Sequence, residues 1–187
     1  MRVISGEYKS IKLNSLEGMN TRPTTDKVKE SIFNMIDCLD KKSLDLFSGT
    51  GSLGIEALSR GGEKTIFIDL SKEAIKIIYS NLEKCKIQKK NYEVYKNDFI
   101  RAIKILAKKE EKFDLIFLDP PYNKKIIDKA LKLILENNLC NNECLIVCEK
   151  SNIDKITYEN NNLKIIKEKN YGYIDVVIYK YQGEQSE

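Results

Sequence analysis

From residue 43 onward, short apolar segments alternate with segments whose apolar residues recur at helical spacing. The apolar segments predict five strands, at 44–47, 65–68, 93–96, 113–118 and 144–148. The segments between them predict four helices, at 52–60, 72–84, 99–108 and 126–136. Two further alternating segments near 163–168 and 174–181, joined at Tyr171-Gly172, predict a closing hairpin. This order predicts an α/β fold, a three-layer sandwich whose mostly parallel sheet has helices on both faces.

A smaller piece precedes this alternation. Residues 2–13 alternate loosely, as a hairpin would with Gly6 near its turn, and Thr24 or Thr25 can cap a helix. The apolar face of that helix would hold Val28, Ile32, Met35, Ile36 and Leu39. Since no linker separates the two parts, we expect one domain over 1–187, with an N-terminal extension at 1–42 and a catalytic sheet at 43–187.

Basic residues are concentrated in this extension. Residues 1–29 hold six basic side chains and three acidic ones, whereas the rest of the chain holds 26 basic and 25 acidic side chains. The six are Arg2, Lys9, Lys12, Arg22, Lys27 and Lys29. The distribution fits an ordinary solvated surface and fits equally an arm that binds nucleic acid, with Arg2, Lys9 and Arg22 as candidate contacts.

The composition excludes several kinds of site. The chain has no histidine, so Ser-His-Asp and Cys-His catalysis and His-based metal sites are excluded. Its five cysteines include Cys144 and Cys148 in a predicted strand, where their Cα atoms would lie roughly 13 Å apart. That distance is too long for one zinc ion or a disulfide, so we expect structural thiols and no metal. With no apolar run of membrane-spanning length and no signal sequence, we expect a cytoplasmic protein without a membrane partner.

A glycine turn stands between the first predicted strand and helix. Gly49-x-Gly51-x-x-Gly54 lets a ligand approach the backbone, and Asp69, 20 residues after Gly49, follows the next strand. A carboxylate there can accept hydrogen bonds from ribose hydroxyls. The pattern predicts a nucleotide or nucleoside cofactor, the alternative being a tight turn with an incidental acid.

Other acids indicate which cofactor. Asp45 lies within an apolar strand beside the turn, where an ammonium or sulfonium would stabilise its charge and a pyrophosphate would be repelled. Asp98 could accept from an adenine amino group beside Phe99, or could simply cap the following helix. These features, and a closing hairpin that suits a methyltransferase-type sheet, favour S-adenosylmethionine over NAD. The remaining candidate cofactor contacts are Phe47, Ser48, Thr50 and Leu70.

The segment Asp119-Pro120-Pro121-Tyr122 ends the fourth predicted strand of the series. Its two prolines remove two N–H donors, so the loop presents acceptors, which an exocyclic NH2 group requires. The Asp119 carboxylate and the Pro120 carbonyl could accept both N–H protons and turn the nitrogen lone pair toward a methyl donor. Tyr122 offers a face on which a base can stack, and Pro121 is a further candidate contact. The alternative is an ordinary proline-rich turn.

Several motifs together resemble the RsmD-type family of class I S-adenosylmethionine-dependent methyltransferases, which methylate N2 of a specific guanine in 16S ribosomal RNA. They are Met1-Arg2-Val3-Ile4-Ser5-Gly6, Thr21-Arg22-Pro23-Thr24-Thr25-Asp26, Leu44-Asp45-Leu46-Phe47-Ser48-Gly49-Thr50-Gly51 and Asp119-Pro120-Pro121-Tyr122. The resemblance implies a seven-stranded sheet with an antiparallel last strand and S-adenosylmethionine as donor. It also implies cofactor contacts at Gly49, Thr50, Gly51, Asp69 and Asp98, with base capture at Asp119 and Tyr122. Tyr173 departs from the small or acidic residue expected after Tyr171-Gly172.

Other substrates remain open at this point. The implied partner is 16S ribosomal RNA, free or within an assembling small subunit. The alternatives are methylation of adenine N6 in DNA or of a protein glutamine, and a noncatalytic RNA-binding protein with this fold. Asp119, where glutamine methylators usually carry Asn, and the basic extension favour RNA. An NAD-dependent oxidoreductase would lack an obvious proton relay.

Overall fold

The computed structural model describes residues 1–15, 25–121 and 125–183 of the 187-residue chain. The described part contains seven strands: β1 (Lys42–Asp45), β2 (Lys64–Asp69), β3 (Tyr92–Lys96), β4 (Phe113–Leu118), β5 (Cys140–Ser151), β6 (Leu163–Asn170) and β7 (Ile174–Tyr181). It also contains five α-helices: α1 (Asp26–Phe33), α2 (Ser52–Ser59), α3 (Lys72–Lys84), α4 (Phe99–Lys108) and α5 (Ile126–Glu136).

The seven strands form one sheet in the order β3-β2-β1-β4-β5-β7-β6. The pairs from β3 to β5 are all parallel, and β7 is antiparallel to both of its neighbours, β5 and β6. Gly172, at a φ of 80°, turns the chain between β6 and β7. The predicted sheet, mostly parallel with an antiparallel last strand, is confirmed.

Helices cover both faces of this sheet. On one face α4 and α5 pack their apolar stripes against the centre of the sheet, through residues such as Ile103 and Leu131. On the other face lie α1, α2 and α3, with Val3 and Leu13 of the N-terminal extension packed beside α2 and α3. The arrangement is the predicted three-layer sandwich. None of the described helices combines the length and apolarity needed to cross a bilayer.

The N-terminal extension folds back on itself as predicted, although only one bridge, Arg2 to Lys12, has strand geometry. The Val3 and Ser10 amides donate to the carbonyls of Ile11 and Val3. Gly6 has a φ of 86°, and a Cβ there would lie 1.7 Å from the Ser59 carbonyl oxygen. This glycine therefore permits the extension to lie directly against the end of α2.

The predicted helix of the extension was too long. Thr25 caps α1 by accepting from the Val28 amide, and the helix ends at Phe33. Val28 and Ile32 are buried as predicted, whereas Met35 and Ile36 follow the helix in a turn and Leu39 is 60% exposed. The expected continuation of one apolar face through Leu39 was wrong, because the chain leaves the helix to enter β1.

All five cysteines are buried and unpaired, as expected of structural thiols. Burial raises the pKa of the Cys38 thiol to about 12 and raises that of Cys148 further, so both remain protonated. Within the described residues, no group of three or more cysteine, aspartate or glutamate side chains could hold a metal ion.

Candidate active site

The predicted site residues follow four neighbouring parallel strands. Ser48 to Gly51 follow β1, Asp69 ends β2, Asp98 follows β3 and Asp119 follows β4. Because parallel strands end at the same edge of a sheet, these loops lie together at its carboxyl edge. The order of the sheet changes direction between β1 and β4, which is where open α/β sheets bind ligands.

The glycine turn is fixed from two sides. The Ser48 hydroxyl donates to the Asp45 carbonyl at 2.7 Å and accepts from the Ile68 amide at 3.0 Å, which ties the turn to β2. Gly49 and Gly51 have φ angles of 53° and 78°, a region that favours glycine. The Ser48 side chain thus positions the turn, and the turn presents its backbone at the site.

Asn81, a buried residue of α3 that sequence reasoning did not single out, fixes the other side of the turn. Its amide nitrogen donates to the Thr50 carbonyl at 2.9 Å and to the Asn14 carbonyl at 3.1 Å. Its amide oxygen accepts from the Asn14 backbone at 2.7 Å. Asn81 therefore joins the glycine turn to the N-terminal extension. A polar residue on an otherwise apolar helical face was the available signal.

Asp69 has the position and the hydrogen bonding of a ligand-facing acid. Its two oxygens accept from the Gly49 and Ser71 amides, each at 2.8 Å, so that the carboxylate is held rigidly beside the turn. Each carboxylate oxygen can accept more than one hydrogen bond, and Asp69 is only partly buried. It can therefore accept from a ligand as well. Leu70, which follows it, is 67% exposed.

Asp45 is a buried acid whose surroundings raise its pKa. It is 1% exposed and accepts from the Gly54 amide at 3.1 Å. Burial raises the pKa of Asp45 to about 7, and the negative charge of Asp69 acts in the same direction, while bonds from Gly54 and Ser48 oppose the shift. A cation bound nearby would lower this pKa and ionise the group. The residue thus fits a site for a positively charged ligand group.

Asp98 caps α4, one of the two roles considered for it. Its Oδ1 atom accepts from the Ile100 amide at 2.9 Å and the Arg101 amide at 3.3 Å. Beside it, the rings of Phe47 and Phe99 meet with their centroids 5.3 Å apart and tilted by 48°. This aromatic pair, formed by a residue of the turn after β1 and the first residue of α4, gives the carboxyl edge an apolar wall suited to a planar group.

The Asp119-Pro120-Pro121 loop lies next to the glycine turn, because β4 is paired with β1. Asp119 is partly buried, Pro120 is buried and Pro121 is exposed. Pro120 and Pro121 contribute carbonyl acceptors to this stretch and no N–H donor. Tyr122, the candidate stacking residue, lies outside the described residues, as does Arg22.

The basic extension is less available to RNA than its composition indicated. Arg2 and Lys9 are exposed, although Arg2 is ion-paired with Asp26 at 3.5 Å. Lys29, counted among the six basic residues of the arm, is fully buried and lies 3.4 Å from Glu56 of α2. Counting Lys29 as an RNA-facing charge was therefore wrong. Val28, Lys29, Ile32 and Phe33 share one helical face, a spacing that could have indicated its burial.

A seven-stranded sheet of this order, with a glycine turn after its first strand, an acid after its second and strand β7 reversed, defines the class I methyltransferase fold. Within that class the chain belongs to the RsmD-type family, since the family model described as Conserved hypothetical protein 95 matches residues 1–180. The RsmD-type resemblance inferred from the motifs is thereby confirmed.

Individual relatives agree with this membership. The chain is 44% identical to YlbH of Bacillus subtilis, over 98% of this chain and 100% of that protein. It is 34% identical to the ribosomal RNA small subunit methyltransferase D of Haemophilus influenzae, over 96% and 93% of the two chains. The solved structure of the putative methyltransferase YhhF from Escherichia coli superposes with a TM-score of 0.86 at 28% identity, over 98% of this chain and 99% of that one.

Proposed function

We propose that this protein transfers a methyl group from S-adenosylmethionine to the exocyclic N2 amine of a guanine in 16S ribosomal RNA. The observation that carries the proposal is the pairing of β1 with β4, which brings the glycine turn and the acceptor-rich Asp119-Pro120 loop to one point of the carboxyl edge. A donor site and an acceptor site side by side are what a direct methyl transfer requires.

The residues of the donor site fit S-adenosylmethionine. That molecule supplies an activated methyl group on a positively charged sulfur and carries an ammonium, either of which suits the buried Asp45 carboxyl. The backbone of Gly49, Thr50 and Gly51 would contact the ligand directly, and Asp69 would accept from its ribose hydroxyls. The flanking contacts are assigned to Phe47, Ser48, Leu70, Asp98 and Phe99, with Asp98 and Phe99 at the adenine.

The acceptor site would act by orientation. The Asp119 carboxylate and the Pro120 carbonyl would accept the two N–H protons of the guanine amine and turn its lone pair toward the methyl group. Tyr122 would stack on the base, and Pro121 would contact it. Because the neutral amine is a poor nucleophile and the methyl group is already activated, alignment is the main task of these residues.

The choice of RNA rests on family membership and on charge. The relative from Haemophilus influenzae is named for the small ribosomal subunit, whose RNA is the 16S molecule. Residues 1–42 would form an RNA-binding extension of a single catalytic domain, with Arg2, Lys9 and Arg22 contacting phosphates. The substrate would be 16S RNA, free or within an assembling small subunit, which is a cytoplasmic task.

Two measurements test this function. Isothermal titration should give micromolar binding of S-adenosylmethionine and no heat with NAD, and the reverse result would contradict the cofactor assignment. Methyl-labelled cofactor should then transfer its label to unmodified 16S RNA or to undermodified small subunits, and not to duplex DNA or to a release factor. Label that appears only in DNA or protein would contradict the RNA assignment.

A further inference from the structure

We propose that the RNA strand flanking the target guanine binds a surface beside the Asp119 loop, defined by Pro121, Lys125, Ile153, Lys155 and Tyr173 and here called the flank surface. The proposal rests on the proposed function of that loop. The five residues come from the segment after β4, the segment after β5 and the hairpin between β6 and β7, all at the carboxyl edge of the sheet.

The lysines of the flank surface stand around a pocket that opens beside the candidate base-capture loop. Pro120, Pro121, Lys125 and Lys155 all line this pocket. Both lysines are exposed, and neither forms an ion pair with any residue in the described part of the chain. Lys150, which also lines the pocket, differs in being paired with Asp175 at 2.7 Å. Lys125 and Lys155 are thus cations available to a phosphate.

The acidic residues of the pocket are less exposed than these two lysines. Asp128 accepts from the Thr157 amide and hydroxyl and from the Tyr158 amide, at 2.8–2.9 Å, so its carboxylate is engaged by its own protein. Glu149 is only 3% exposed. Asp154 is the remaining acid at the pocket, and it is partly buried. The charges that face solvent most fully are those of the two lysines.

An apolar and aromatic pair continues the surface beyond the pocket. Ile153 and Tyr173 are 80% and 70% exposed, which is high for large apolar side chains. The Asn152 amide donates to the Tyr173 carbonyl at 3.0 Å, and its side-chain nitrogen donates to the Gly172 carbonyl at 2.9 Å. These bonds hold the hairpin tip against the segment that enters the pocket, so Ile153 and Tyr173 are neighbours.

The tip is also braced from behind. The Tyr171 hydroxyl is hydrogen-bonded to the Ser31 hydroxyl of α1, and the Lys169 ammonium lies 5.5 Å from the centre of the Tyr171 ring. The hairpin tip that carries Tyr173 is therefore held by contacts with α1 and with β6. A backbone held in this way loses little freedom when the Tyr173 ring stacks on a base.

These features fit single-stranded RNA as the occupant. Available cations beside an exposed aromatic ring are the combination that binds a nucleic-acid strand, with phosphates on the cations and a base on the ring. The pocket begins at Pro120 and Pro121, so a strand whose target base is held by Asp119 would continue directly onto it. A nucleic-acid strand offers the lysines a phosphate at every nucleotide, whereas a peptide would need acidic side chains at matching positions.

The test measures binding of in vitro transcribed, unmodified 16S RNA to the full chain across a salt series. Affinity for RNA falls as salt rises. In the double variant Lys125→Gln/Lys155→Gln the negative slope of log affinity against log salt should become shallower by about 1.4, at about 0.7 for each lysine on a single strand. Lys104→Gln/Lys108→Gln on α4 is the charge-matched control and should leave the slope closer to that of the unsubstituted protein. Tyr173→Ala should weaken binding about 5- to 150-fold, and Tyr173→Phe should restore it.

The proposal is overturned if the paired-lysine variant and its control behave alike, which would leave the surface to another partner such as a protein segment. It is also overturned if Tyr173→Phe is as damaging as Tyr173→Ala. Methyl transfer in the same samples separates this proposal from the proposed function. If RNA binding depends on the flank surface but no RNA is labelled, the proposed function is contradicted and the flank surface is not. If the surface variants label RNA with an unchanged KM for RNA, the flank surface is contradicted and the proposed function is not.

Discussion

Asp45, Asp69, Asp98 and Asp119 stand at one edge of the sheet, yet each carboxylate has different surroundings. Asp69 and Asp98 accept from two backbone amides each, which fixes both carboxylates in place. Asp45 accepts from one amide in a buried setting, and burial raises its pKa. An aspartate at this edge can therefore orient a loop, accept a hydrogen bond from a neutral hydroxyl group or pair with a cation, depending on its surroundings.

The raised pKa of Asp45 predicts a pH-dependent affinity for S-adenosylmethionine. Near pH 6 the carboxyl of the free protein is largely protonated, since its pKa is about 7. A cationic ligand favours the ionised form, so binding releases a proton and becomes tighter as the pH rises. Because the ionised fraction of the free carboxyl rises from about 0.09 to about 0.72, affinity measured by titration calorimetry should increase about eightfold between about pH 6 and pH 7.4.

Two variants check the source of that dependence. Asp45→Asn should bind more weakly and lose most of the pH dependence, because it cannot ionise. Asp40→Asn, at an exposed position before β1, should behave like the unsubstituted protein. A pH dependence that survives in Asp45→Asn would assign the titration to another group.

Asp119 is predicted to act as a hydrogen-bond acceptor for the amine. Asparagine keeps an oxygen in nearly the same place, whereas alanine removes it. Asp119→Ala should therefore lower the single-turnover rate about 10²- to 10⁴-fold, the usual range for a positioned proton-accepting group, and Asp119→Asn much less. Cofactor affinity should change little in either variant. Equal losses in both variants, with a wild-type rate that titrates like a carboxyl group, would make Asp119 a general base.

Between elements, a buried polar network joins the N-terminal extension to α2. The Lys29 ammonium donates to the Arg2 carbonyl at 2.5 Å and to the Ser52 hydroxyl at 3.0 Å. Glu56 accepts from the Ile4 and Ser5 amides and is paired with both Lys29 and Arg60. Since Ser52 follows Gly51 directly, the network couples the extension to the glycine turn.

This network predicts that two lysines of the same helix differ sharply in their contribution to stability. Lys29→Met removes one partner of a buried pair and should lower the free energy of unfolding by about 3 kcal/mol, near the lower end of the range because Arg60 still neutralises Glu56. Lys27→Met, the same change at an exposed position, should stay within about 0.5 kcal/mol. Urea denaturation followed by circular dichroism measures both. Similar free energies of unfolding for the two variants would mean that the buried Lys29–Glu56 pair contributes nothing to stability.

The sequence predicted some elements to the residue and misjudged others, for physical reasons. The bounds of α3, α4 and α5 agree with the pattern, because each has a clear apolar stripe. Strand β5 extends from Cys140 to Ser151, well beyond the predicted 144–148, because its polar ends are held by backbone pairing with β4 and β7. Backbone pairing between strands leaves no hydrophobic pattern in the sequence from which these ends could be predicted. Asn81 and Lys29 were missed for a related reason, since their roles depend on partners distant in the chain.

In the molecule as a whole, the order of the strands creates the site. The reversal of order at β1 and β4 brings the donor loop beside the acceptor loop, although about 70 residues of chain lie between them. The motifs predicted both loops, because each is a local turn with a fixed composition. The flank surface could not be predicted, since it combines residues from three segments that only the folded sheet brings together.

We propose above all that this chain methylates N2 of a guanine in 16S ribosomal RNA. The most direct measurement incubates unmodified 16S RNA and undermodified small subunits with methyl-labelled S-adenosylmethionine, digests the RNA to nucleosides and identifies the labelled one by mass spectrometry. We expect N2-methylguanosine, at about one equivalent per RNA and greatly reduced with Asp119→Ala. Label in N6-methyladenosine, or an RNA fraction that stays unlabelled while both substrates are intact, would contradict the account.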